Sequence, residues 1–175
     1  MNAPIVMTTL EQLGVLPKDD FVAALGGIFE HSPWVAEAAW HQRPFASVAQ
    51  LHEIMCQAVR DGGQAAQLQL IRAHPELAGK LAVRGELTAE STREQSGAGL
   101  NQCTPEEFAR LQQLNQAYGE KFGFPFILAV RGHTRHSIIE NFTQRLAHSR
   151  EQEIEECLRQ IFRIALLRLQ DLVRA

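Results

Sequence analysis

A histidine followed by proline, His74-Pro75, is the first place in this sequence where chemistry can be read. The residue before a proline is pushed out of the α region, so His74 stands where a helix ends, on stiff backbone able to face a cleft. An imidazole with its ordinary pKa of ~6.5 can take or give a proton near neutral pH. A histidine that merely caps a helix leaves the same local signature, so the dipeptide supports both readings. A second set of groups lies in Thr88-Ala-Glu-Ser-Thr-Arg-Glu-Gln. With Thr88 as the N-cap of a helix, Ser91, Glu94 and Gln95 fall at i, i+3 and i+4 and share one face. That face either offers a hydroxyl, a carboxylate and an amide to a polar ligand or is a solvated helix surface.

Two other features demand partners. The stretch Gly-Phe-Pro-Phe-Ile-Leu-Ala-Val-Arg-Gly, residues 123–132, is too apolar for an ordinary exposed loop. Its backbone N–H and C=O groups must be met by a bound polar ring, by neighbouring helices or by water. Arg163 and Arg168 lie in a long C-terminal helical pattern, Arg168 between Leu167 and Leu169. A guanidinium facing the interior needs an anion, and a substrate carboxylate suits it. Snorkelling to the surface is the alternative. No Walker A loop, GxGxxG, GxSxG or HExxH occurs. His133 and His136, at i and i+3, come nearest to a metal pair, and no metal site is expected.

The elements that must position these groups read as helices almost throughout. Ile154, Leu158, Ile161, Phe162, Ala165, Leu166, Leu169 and Val173 recur at three- and four-residue steps and predict one helix over residues 150–173. Thr104, Pro105 and Glu107 form a capping-box start, after which Phe108, Leu111, Leu114 and Tyr118 mark a buried face. Gly123 and Pro125 end that helix. Residues 18–30, 33–42, 47–60, 64–73, 88–98 and 134–148 predict further helices, with Ser32, Ser47 and Thr88 as caps. Asp61-Gly62-Gly63 is a turn, and residues 75–87 a loop. Nothing alternates with period two. Residues 123–132 could form a short strand, but a lone strand would have no partner, so extended backbone packed among helices is the better reading. The expected fold is an all-α, single-domain bundle of about eight helices spanning residues 1–175, with a long C-terminal helix.

Composition bounds the function classes. A chain of 175 residues suits one domain, and at ~150 residues a domain hides roughly 70% of its unfolded surface. With 45% hydrophobic and 21% charged residues, the chain is globular rather than disordered. The net charge of −3 and the lack of a basic stripe argue against a nucleic-acid partner. Cys56, Cys103 and Cys157 are far apart and read as free thiols in a reducing compartment. No window approaches the ~20 apolar residues of a membrane span, and the first ten residues lack a charged, then apolar, leader. A cytoplasmic protein is the expectation.

Taken together, three segments resemble one family closely: His74-Pro-Glu-Leu-Ala, Ser91-Thr-Arg-Glu-Gln-Ser-Gly-Ala-Gly-Leu, and Leu114-Asn-Gln-Ala-Tyr-Gly-Glu-Lys-Phe-Gly-Phe-Pro-Phe. The family is 2-oxo-4-hydroxy-4-carboxy-5-ureidoimidazoline (OHCU) decarboxylase, of urate breakdown. Glu30-His-Ser-Pro-Trp, Arg43-Pro-Phe and Ile161-Phe-Arg-Ile-Ala-Leu-Leu-Arg-Leu extend the likeness over nearly the whole chain. The resemblance implies an all-α homodimer that decarboxylates a small molecule without cofactor and releases (S)-allantoin. By position it assigns a catalytic role to His74 and Glu94, and the family's late arginine to Arg168, with Arg163 the competing choice. Pro75, Ser91 and Gln95, and the backbone of Phe126, Ile127, Leu128, Ala129 and Val130, fall on its ligand-binding elements.

Overall fold

The computed structural model describes residues 7–174, the side chains of Lys80 and Leu81 excepted. The reading of the first ten residues therefore lies outside the described chain up to residue 6. Two compact units emerge, one formed by Met1–Ala73 with Phe162–Ala175 and the other by His74–Ile161.

The first unit holds α1 (Leu10–Gly14), α2 (Lys18–Leu25), α3 (Pro33–Trp40), α4 (Val48–Asp61) and α5 (Gly63–Ala73). α4 shows how pattern becomes packing: Leu51, Met55 and Val59, four residues apart, are all fully buried. The Ser47 hydroxyl caps the helix by accepting from the Gln50 N–H. Trp40 fixes the end of α3 by donating its indole N–H to the Leu16 carbonyl at 3.0 Å. Where a helix over residues 18–30 was expected, α2 stops at Leu25 and turns follow. Gly26 sits so close to α2 that a Cβ there would meet the Val22 carbonyl oxygen at 2.7 Å. Ser32 does not cap α3; its hydroxyl turns back to donate to the Glu30 carbonyl. Three short elements of this unit escaped the periodicity. α1 is capped by Thr9 with Gln12, and Thr8–Thr9 (β1) pairs in parallel with Val173–Arg174 (β2). A two-residue strand has no room for an alternating pattern, so the C-terminal helix read through Val173 ends at Leu172.

The second unit contains α6 (Lys80–Val83), α7 (Ala89–Gly97), a 3₁₀ turn (Leu100–Gln102), α8 (Pro105–Phe122), α9 (Arg135–Arg145) and the start of α10 (Arg150–Leu172). α6 lies within the stretch expected to be loop. α8 has the expected box: Thr104 accepts from the Glu107 N–H, and the Glu107 carboxylate accepts from the Thr104 N–H. Removing it with Thr104→Ala should destabilise the protein by ~1 kcal/mol, read as a shift in urea midpoint with unchanged slope. Leu111, Leu114 and Tyr118 are buried as expected, but Phe108, in the first turn, is 38% exposed and lines a cavity. The core is aromatic. Tyr118 contacts Phe122, Phe124, Phe126 and Phe142, and Phe126 stacks on Phe142 at 3.9 Å. Residues 125–130 form neither helix nor ladder, and 126–130 are buried. A buried run without helix or ladder agrees with the expectation that it is neither a helix nor an exposed loop.

Candidate active site

α5 ends at Ala73, leaving His74 just beyond its last turn, as the proline requires. The residue is 7% exposed, so His74 belongs to the interior rather than to the surface. The chain then makes a tight loop through Glu76, Leu77 and Ala78. Ala78 adopts φ +50°, a left-handed conformation uncommon outside glycine. Such backbone persists only where its surroundings over-determine it, and here three amide side chains do so. The Gln95 Oε1 accepts from the Ala78 N–H at 2.9 Å, and its Nε2 donates to the Glu76 carbonyl. Gln112 donates to the Ala78 carbonyl, and Asn115 to the Leu77 carbonyl. Gly79 completes the loop, since a Cβ there would meet the Glu76 Cβ at 2.7 Å.

Thr88 starts α7 by accepting from the Ser91 N–H. The expected face forms: Ser91 and Gln95 are buried and Glu94 is half-buried. This is not a solvated helix surface. Gln95 spends both ends of its amide on the loop that follows His74-Pro75, so α7 and that loop are tied residue to residue. Glu94 is its immediate neighbour in sequence. Gln112 and Asn115 were not singled out from sequence. The signal was there for Asn115, a polar residue beside Leu114 on the buried face of α8.

The apolar run answers part of the backbone question. Arg145 donates to the Ile127 carbonyl at 2.5 Å, Gln160 accepts from the Ala129 N–H at 3.0 Å, and His133 donates its N–H to the Val130 carbonyl. Arg145 is itself held by Glu153, with its Nε and Nη2 at 2.9 and 2.8 Å from the Oε1. Tyr118 donates its hydroxyl to the same oxygen, and His148 Nδ1 lies 2.8 Å from the other. Burial alone would favour discharging Arg145, but the hydrogen bond and charge of Glu153 more than offset it and keep the guanidinium above its ordinary pKa. Burial also pushes the Tyr118 hydroxyl and the Cys157 thiol up, so both stay protonated.

The late arginines separate cleanly. Arg163 is exposed, whereas Arg168 is 6% exposed in the first unit. Its anion comes from the protein: Nη1 lies 2.9 Å from Glu30 Oε2 and 2.9 Å from the Gly27 carbonyl. A cavity of about 560 Å³ in the second unit reaches Ala78 and Gln95, and Leu87, Leu100 and Phe108 are among the residues that line it. Neither His74 nor Glu94 lines it. Among the described residues no group of three His, Cys, Asp or Glu side chains could hold a metal, and no helix is long and apolar enough to cross a membrane. All three cysteines are free, and burial pushes the Cys56 thiol up to about 12.

The fold and these groups define a mostly helical protein whose second unit holds a buried histidine and a hydroxyl–carboxylate–amide helix face beside a pinned loop. The OHCU decarboxylase family model matches residues 15–170. A 2-oxo-4-hydroxy-4-carboxy-5-ureidoimidazoline decarboxylase of Halalkalicoccus jeotgali is 42% identical over 164 residues, covering 94% of this chain and 91% of that one. Another from Haloferax volcanii is 43% identical over 161 residues, covering 92% and 94%. The crystal structure of an (S)-allantoin synthase superposes with a TM-score of 0.75 at 32% identity, over 94% of this chain and 54% of that longer one. The chain belongs to the OHCU decarboxylase family.

Proposed function

We propose that this chain is a carboxy-lyase that converts 2-oxo-4-hydroxy-4-carboxy-5-ureidoimidazoline to (S)-allantoin in urate breakdown. The family match over residues 15–170 carries the reading. The chemistry asks little beyond what side chains supply. The substrate's carboxylate sits on a carbon that also bears a hydroxyl and a ring nitrogen. When that bond breaks and CO₂ leaves, its electron pair forms a double bond to the ureido-bearing carbon. The π pair of the neighbouring C=N moves onto nitrogen, which takes a proton. The enol so formed gives up its hydroxyl proton while the ureido-bearing carbon gains one and becomes the stereocentre of allantoin. The substrate is thus its own electron sink, and the protein's task is orientation, charge placement and delivery of a proton to one face.

His74 handles the proton in this scheme. Glu94 holds the hydroxyl or ureido N–H groups and orients His74. Pro75, Ser91 and Gln95 shape the seat of the ureido arm, Gln95 through the loop that its amide pins. The backbone of residues 126–130 receives the ring, and Arg168 holds or steers negative charge. Support for these roles is the positional match to the family, with the burial of His74, Ser91 and Gln95. Glu94→Gln keeps shape and removes the charge, so substrate consumption in single-turnover assays should slow by roughly tenfold or more. A wild-type rate would remove Glu94 from the mechanism. A homodimer working in the cytoplasm is part of the same proposal, supported by the family resemblance and by three free thiols that suit a reducing compartment.

A further inference from the structure

Arg145 sits where an apolar residue belongs. Ile138, Phe142 and Arg145 follow one another at i, i+4 and i+7 on α9, and all three are buried. The guanidinium lies 4.2 Å from the centre of the Phe126 ring and donates to the Ile127 carbonyl. Two residues on, the Ala129 N–H is taken by Gln160, whose own amide nitrogen is fixed by Glu156 at 2.9 Å. In an extended chain, the carbonyl of one residue and the N–H of the second residue after it project to the same side. Read as extended backbone, residues 127–129 give Arg145 and Gln160 one edge to grip and turn the N–H and C=O of Leu128 to the other. Glu153 sets the guanidinium in place through two nitrogens on one oxygen, and Tyr118 and His148 hold the carboxylate.

We propose that Arg145, with Gln160, is a positioning residue for the reaction: the pair fixes the backbone of residues 126–130 so that its Leu128 edge meets the ring of the ligand in one register. The inference rests on the reading of that backbone as a ligand-binding element. A buried arginine costs far more than a methionine of similar size unless its donors are fully used. A planar fork can serve a carboxylate and a carbonyl at once, which a lysine ammonium on a flexible stem cannot do in fixed geometry.

Three proteins test it: wild type, Arg145→Lys and Gln160→Met. Wild type is first titrated with (S)-allantoin while backbone amide resonances are followed. Shifts at Leu128 and its neighbours establish the binding element, whereas shifts confined to residues such as Ser91 and Glu94 would remove it and overturn the inference at its premise. Dissociation constants are then measured for both variants, corrected for the folded fraction. Arg145→Lys should bind allantoin roughly tenfold more weakly, the scale of one lost hydrogen bond to a charged donor. Gln160→Met should bind several-fold more weakly, with a melting temperature close to wild type, and both should give allantoin of reduced enantiomeric excess. Unchanged affinity and handedness in the folded variants, beside a responsive Leu128 amide, would overturn the positioning role and leave Arg145 a purely structural ion. If Arg145→Lys fails to fold, Gln160→Met decides alone.

Discussion

Replacing His74 with alanine is expected to lower turnover by roughly 10²- to 10⁴-fold, the usual worth of a positioned proton-transfer group, while the fold survives. The expectation of survival comes from the residue's place in the chain. His74 follows the last turn of α5, so the substitution leaves the backbone ladder of that helix intact. The loop after it is pinned by Gln95, Gln112 and Asn115 through backbone atoms of Glu76, Leu77 and Ala78, none of which the substitution touches. Truncating a residue that is 7% exposed still leaves a small void, at a cost of ~1–3 kcal/mol. Thermal unfolding should therefore show a cooperative transition at a moderately lower temperature. Turnover near wild type in such a protein would take His74 out of the chemistry.

The second large effect is on stability. Arg168 and Glu30 form an ion pair whose side chains are 5% and 1% exposed. Arg168→Met would leave a carboxylate in the interior without its guanidinium, which costs roughly 3–5 kcal/mol. At ~2–4 °C per kcal/mol for a chain of this size, the melting temperature should fall by about 10 °C. Removing both charges with Arg168→Met and Glu30→Leu should recover most of that loss, because well-packed apolar residues often replace a buried pair without penalty. The pair of variants also separates two roles for Arg168. A double variant that is stable but slow fits an arginine that acts on substrate charge. A double variant that is stable and fully active would make Arg168 a core ion alone.

How far the sequence spoke can be read from individual residues. The helices α4, α8 and α10 were legible because their apolar residues keep helical spacing, and α4 and α8 also start on Ser47 and the Thr104–Glu107 box. α1, α6 and the parallel pair of β1 with β2 were not, because elements of two to five residues are too short to repeat a period. The groups proposed for chemistry were visible as types and spacings: a histidine before proline, and a serine, glutamate and glutamine on one face of α7. Their supports were harder to see. Gln112 and Gln160 look like ordinary helix polar residues, and only the fold reveals that each meets a loop backbone. Arg145 and Glu153 left a trace, since each interrupts an apolar face. A charge in such a position asks for its partner, but the partner is on another helix, and sequence distance does not say which. Arg168 shows the same limit: its need for an anion was legible, and that Glu30 supplies one was not.

The central claim is that the chain turns its substrate into allantoin of one hand. The direct measurement forms that short-lived substrate in place from urate, with urate oxidase and hydroxyisourate hydrolase, adds the protein, and follows circular dichroism. The account predicts rapid growth of the (S)-allantoin signal at a rate proportional to protein added, abolished in His74→Ala. A slow approach to racemic product, unchanged by the protein at any concentration, would contradict it.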